Sequence, residues 1–175
     1  MSDKNLIKKF RWFWAWDDER EENWLQEMSN QGLHMKSVVF PGIYTFEQNP
    51  GVNYVYRLDY APETKSINEY ITLFNDAGWD YLGKITFWQY FRKKVTGHEI
   101  PEIFTDQESK IAKCKKIMWA LLGIMPLIVV NLINSYSRLN QPIWFAFAII
   151  FTLFFILFSI GIWKLYKRIS QLKRL

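Results

Sequence analysis

Five carboxylates fall within six positions, Asp17-Asp18-Glu19 and Glu21-Glu22. Such a cluster could ligate a metal ion or divide acid and base roles between two side chains. It also directly precedes an apolar stripe, Trp24, Leu25 and Met28, and so stands where a helix begins. Carboxylates there complement the helix dipole and cap free N–H groups, the simpler reading. His34 and His98 have no partner at metal-ligand spacing. Arg57 and Asp59 share one side of a strand and suit a surface ion pair. Cys114 stands among lysines that could activate a thiolate, but a passive position accounts for it more simply. The chain has no glycine-rich phosphate loop, nucleophile elbow, HExxH or CxxC. These residues argue for binding rather than catalysis, with no metal and no cofactor.

The aromatic residues form the other candidate. In an extended chain over 8–16, Phe10, Trp12, Trp14 and Trp16 would share one side, with Arg11, Phe13 and Ala15 opposite. Further on, Tyr54 and Tyr56 alternate along one strand, while Trp88 and Tyr90 face away from Ile85, Phe87 and Phe91 on another. Aromatic side chains on both faces exceed what one buried face needs. Trp12, Trp14, Trp16, Tyr54, Tyr56, Trp88 and Tyr90 are therefore the expected binding surface. It could take an apolar ligand or a protein, bury itself by self-association or under residues 40–46, or touch a membrane interface.

The elements that would carry these residues follow from periodicity and punctuation. A strand over 8–16 leads to a helix at about 19–31, closed by Gly32 in a left-handed cap. Residues 33–48 are β-rich but interrupted by Pro41-Gly42, so they form a bent strand or two short ones. A turn at Asn49-Pro50-Gly51 returns the chain along a strand at 53–60. Ser66 and Glu69 have capping-box spacing ahead of Ile67, Tyr70, Ile71 and Phe74, and Gly78 closes that helix. A last strand at 81–93 bends near Gly83. The order βαββαβ predicts an α+β, ferredoxin-like domain: a four-stranded antiparallel sheet with helices on one face. Gln31-Gly32-Leu33 and Ala77-Gly78-Trp79 echo each other, as an internal repeat would.

Residues 96–106 read as a linker, and Thr105 with Glu108 could cap a juxtamembrane helix. Two uncharged stretches follow, at 117–134 and 141–163. Each is long enough to cross a bilayer as a helix, which takes about 20 residues at about 1.5 Å each. Pro126 should bend the first or loosen one turn. The expected organisation is a domain at 1–95, a linker and juxtamembrane helix at 96–116, and a two-span hairpin with a basic tail at 117–175.

The charge supports a membrane rather than a nucleic acid. The whole chain carries +5, but residues 1–105 hold 12 Lys/Arg against 15 Asp/Glu, and residues 106–175 hold 10 against 2. The excess therefore flanks the spans. Lysines precede the first, lysines and arginines follow the second, and only Arg138 lies between. By the positive-inside rule both termini are cytoplasmic in a multi-pass cell-membrane protein. Only Cys114 is available, so no internal disulfide forms, as suits a reducing compartment.

The segment Glu22-x-Trp24-Leu25-x-x-Met28-x-x-x-Gly32-Leu33, with Tyr44-x-Phe46, Tyr56-x-Leu58-Asp59, Gly78-Trp79 and Tyr90-Phe91-Arg92, resembles a known family. These are uncharacterised bacterial membrane proteins, mainly Gram-positive, with an N-terminal domain of unknown function and a two-helix anchor. The resemblance implies association with PadR-type transcriptional regulators and hence a regulatory role; it implies no catalytic residues. The expectation is a membrane-anchored module that binds a protein, such as a regulator, or a small apolar ligand. The alternative is an accessory subunit of a larger membrane complex, with the hairpin as interface. An enzyme comes third.

Overall fold

The computed structural model describes residues 6–61, 66–95, 101–103 and 107–174. It divides into two units, Met1–Thr105 and Asp106–Leu175. The first is mixed α+β. Its elements are β1 (Leu6–Phe10), α1 (Asp18–Asn30), β2 (Leu33–Val39), β3 (Ile43–Gln48), β4 (Tyr54–Tyr60), α2 (Ile67–Asp76), β5 (Asp80–Ile85) and β6 (Trp88–Lys94). The described strands form two three-stranded antiparallel sheets, ordered β1-β3-β2 and β4-β6-β5. The unit is thus βαββ used twice, where one four-stranded ferredoxin-like sheet was expected.

Both extra strands come from turns within β-rich runs. Gly42, at φ +136°, donates to the Val39 carbonyl at 2.9 Å and folds residues 33–48 into a hairpin. A Cβ on Gly42 would stand 2.3 Å from the Arg11 carbonyl oxygen, so only glycine fits. The second hairpin turns at Thr86-Phe87, with Thr86 at φ +51°. That turn lacks the Asn-Gly or Asp-Gly signal of a tight hairpin, which is why the run reads as one strand. The bend expected near Gly83 is a β-bulge between Tyr81 and Gly83, matched by one between Met35 and Ser37. Beside the bulges, the central strands place Phe46 and Phe91 at equivalent positions, both fully buried. The echo at the two helix ends therefore belongs to a repeat, though of a different unit.

β1 also ends earlier than expected. After Phe10 the Arg11 amide bonds to the Gly42 carbonyl at 3.0 Å, and residues 11–16 leave the sheet as a loop. The loop closes where the Asp17 amide meets the Trp14 carbonyl at 2.9 Å. Trp14 and Trp16 stack with centroids 5.6 Å apart and planes 9° apart. The period-two pattern here records rings packing on each other, outside any strand.

α1 lies against β2 and the outer edge of β4. An edge strand leaves amides without a ladder partner, and α1 supplies acceptors for two of them. Glu22 Oε1 accepts from the Leu58 amide and Ser29 Oγ from the Tyr54 amide, both at 2.8 Å. Seven residues separate Glu22 from Ser29, two helical turns, which keeps both on one face. Ser29 Oγ also lies 3.3 Å from His34 Nδ1, and His34 Nε2 lies 2.6 Å from the Asn49 carbonyl. One assignment satisfies all three groups: Ser29 donates to Nδ1, and Nε2–H donates to Asn49. On the edge of β2, the Met35 amide donates to the Tyr56 hydroxyl at 3.0 Å, and Arg92 donates to the Met35 carbonyl at 3.4 Å. Behind the second sheet, Phe74 of α2 meets Phe91 at 4.4 Å within a core that includes Val55 and Trp79.

The second unit is a pair of long helices, α3 (Gln107–Tyr136) and α4 (Pro142–Leu172). Both are long and apolar enough to cross a membrane. Thr105, proposed as the cap of α3, and His98 lie outside the described residues. Cys114, Leu121, Ile128 and Ser135 recur every seven residues as buried positions of α3, the pattern of a seam against a partner helix. Cys114 is fully enclosed. α3 runs continuously through Pro126. Asn131, Ser135, Thr152 and Ser159 each donate to the backbone carbonyl four residues earlier. Polar side chains within the apolar helices are thereby satisfied locally.

Replacing Ser29 with alanine strips the Tyr54 amide and His34 Nδ1 of a buried partner. It should lower unfolding stability by about 1–3 kcal/mol. Denaturant melts of the detergent-solubilised protein measure this, with exposed Asn23→Ala expected to stay within about 0.5 kcal/mol of wild type.

Candidate aromatic cleft

The β1–α1 loop, the β2–β3 hairpin turn and the end of the β5–β6 hairpin enclose a cavity of about 150 Å³. Trp12, Trp14 and Phe40 form one side of it, with Trp88 and Ile85 also on its walls. Trp12 meets Trp14 at 5.4 Å with planes 81° apart, and meets Phe40 at 6.1 Å with planes 74° apart. Three rings thus stand nearly at right angles to their neighbours. Trp88 is braced by Tyr60 at 5.3 Å. Trp12 and Trp14 are 43% and 40% exposed, so this rim is open to a ligand, whereas Trp88 is nearly buried.

Glu21, Tyr44 and Tyr90 complete the lining. Tyr44 of β3 and Tyr90 of β6 donate to the same oxygen, Glu21 Oε1, at 2.6 and 2.7 Å. One carboxylate on α1 therefore joins the central strands of both sheets. Burial pushes the Glu21 carboxyl above its ordinary range; the two tyrosine bonds oppose this, and nearby Asp18 adds to it. Burial, then the Glu21 charge, pushes both tyrosine hydroxyls up, so both remain donors. Arg11 also lines the cleft, its guanidinium 5.3 Å from the Phe13 ring and 5.1 Å from Trp24.

The seven aromatic residues expected to form one surface are divided by the fold. Trp12, Trp14, Trp88 and Tyr90 line the cleft. Trp16 is buried and supports Trp14 from the stack. Tyr56 is a core residue whose hydroxyl caps β2, and burial pushes it up to about 12. Tyr54 packs between His34 and the Arg92 guanidinium, at 5.0 and 4.5 Å. Arg57 and Asp59 take separate partners: Arg57 bonds to Glu102 at 2.7 Å, and Asp59 accepts from Tyr70 at 2.6 Å.

The acidic run is built into the interior more than a helix-dipole role requires. Asp17, Asp18, Glu21 and Glu22 are all buried, and Glu21 and Glu22 bind side chains or backbone of other elements. The available signal was spacing, because Glu21 lies three and four residues before Trp24 and Leu25, on the buried stripe. Among the described residues, no three of His, Cys, Asp and Glu converge as metal ligands.

A family model described as a protein of unknown function, DUF2812, matches residues 17–125. The chain belongs to the DUF2812 family. The DUF2812 match contains Glu21, Tyr44, Trp88 and Tyr90, begins just after the loop that bears Trp12, Trp14 and Trp16, and continues into α3. Comparison with curated proteins and with solved structures gives no match.

The raised Glu21 carboxyl makes stability depend on pH with a definite sign. Below about 4.5, its ordinary value, the folded and unfolded chains both hold the proton. As pH rises, the unfolded chain releases it first, so Glu21 lowers stability until the folded carboxyl also ionises. This contribution falls by at most about 1.4 kcal/mol per pH unit for one proton. Glu21→Gln keeps an oxygen acceptor for both tyrosines and removes the titration. Melts from pH 4 to 8 should therefore show the variant gaining stability relative to wild type as pH increases.

Proposed function

We propose that this DUF2812 protein is a membrane-anchored binding module and that the aromatic cleft is its recognition site. α3 and α4 act as a two-span anchor, with both termini on the cytoplasmic side, as the basic flanks favour. The reading rests on one observation: half-exposed tryptophans border a cavity whose lining includes a buried carboxylate held by two tyrosines. Ligand sites combine apolar walls with a few placed polar groups in this way. A space of about 150 Å³ is enough for a benzene-sized group. A regulatory role follows if occupancy of the cleft alters a partner's access to its rim, where Phe40 is also well exposed.

The test is site-specific crosslinking in native membranes. A photoreactive residue replacing Trp14 should give a discrete adduct, and Trp12→Ser should reduce its yield several-fold. The same probe at Glu27, on the exposed side of α1, should not give that adduct. Identical adducts from positions 14 and 27 would contradict a site in the cleft.

A further inference from the structure

We infer that the cleft binds a small alkylammonium cation, an inference that rests on the proposed binding role and specifies the ligand's charge. The rings of Trp12, Trp14 and Phe40 meet at 81° and 74°, forming perpendicular walls rather than a flat stack. The cleft is thus walled by rings lying in different planes, and the negative face of an indole attracts a cation more strongly than those of other aromatic rings. Trp88 and Tyr90 continue the enclosure, and Glu21 contributes a carboxylate to it. A neutral apolar ligand would use the rings and gain nothing from that carboxylate. A cation uses both.

Size agrees. A cavity of about 150 Å³ can hold a molecule about as large as benzene, which is near the bulk of a trimethylammonium group. Arg11, the basic residue in the lining, is exposed, rests over Phe13 and Trp24, and also acts on the Tyr44 hydroxyl. Glu21 is nearly buried, where a charge interaction is screened far less. The bonds from Tyr44 and Tyr90 both end on Oε1, fixing the orientation of the carboxylate before a ligand arrives.

The test uses the full chain in phosphatidylglycerol nanodiscs, titrated by calorimetry with choline and with 3,3-dimethyl-1-butanol, its neutral carbon isostere. Choline should bind about tenfold more tightly than the isostere. Glu21→Gln, which keeps the acceptor for both tyrosines, should remove most of that preference while leaving isostere affinity within about twofold. Trp14→Leu keeps an apolar wall, loses a π-face, and should weaken choline binding several-fold. Discs containing phosphatidylcholine distinguish a lipid headgroup from a soluble cation, since only a headgroup site would be blocked by them. Equal affinity for the two probes would overturn the cation assignment while leaving a small-ligand cleft intact. Choline binding unaffected by both substitutions would place the cation elsewhere and overturn it too.

Discussion

The first unit depends on α1 satisfying polar groups that two separate sheets cannot satisfy for themselves. Glu21 takes hydroxyls from β3 of one sheet and β6 of the other. Glu22 and Ser29 take amides from the outer edge of β4. Buried polar groups left without such partners would each cost about 1–3 kcal/mol, so the helix is placed by hydrogen bonds as well as by Trp24, Leu25 and Met28. Glu21 also lines the cleft, together with Trp12 and Trp14 of the loop before α1.

The helical unit follows a different logic. Its side chains are mostly apolar, and its few polar groups in the central turns bond to their own backbone. With α3 and α4 at 30 and 31 residues, each extends beyond what a bilayer core of about 30 Å requires. The surplus turns carry the lysines before Ile117 and after Trp163. Neither helix carries a charged residue over 117–134 or 142–163.

The sequence made some levels of this organisation legible and concealed others. The glycine-closed ends at Gly32 and Gly78, the Ser66 cap, the α+β class and the two apolar helices follow from local patterns. α1, by contrast, begins after Asp17 with no side-chain cap, where Asp18 and Glu21 suggest one. Sheet membership did not follow. The Thr86-Phe87 turn carries no turn residues of the usual kind, and the alternating tryptophans imitate a strand while folding as a loop. The site was half visible: aromatic excess pointed to Trp12, Trp14, Trp88 and Tyr90, but not to their separation from Tyr54 and Tyr56. Glu21 was hidden because a carboxylate at a helix start has an ordinary local explanation, and its tyrosine partners lie 23 and 69 residues away.

In the proposed reading, recognition belongs to the cleft and the two long apolar helices support it. Fluorine NMR of the full chain, with its nine tryptophans labelled as 6-fluorotryptophan, tests this division directly. With resonances assigned by substitution, adding choline should move the Trp12, Trp14 and Trp88 signals and leave Trp119, Trp144 and Trp163 in place. Shifts confined to Trp119, Trp144 and Trp163 would contradict it.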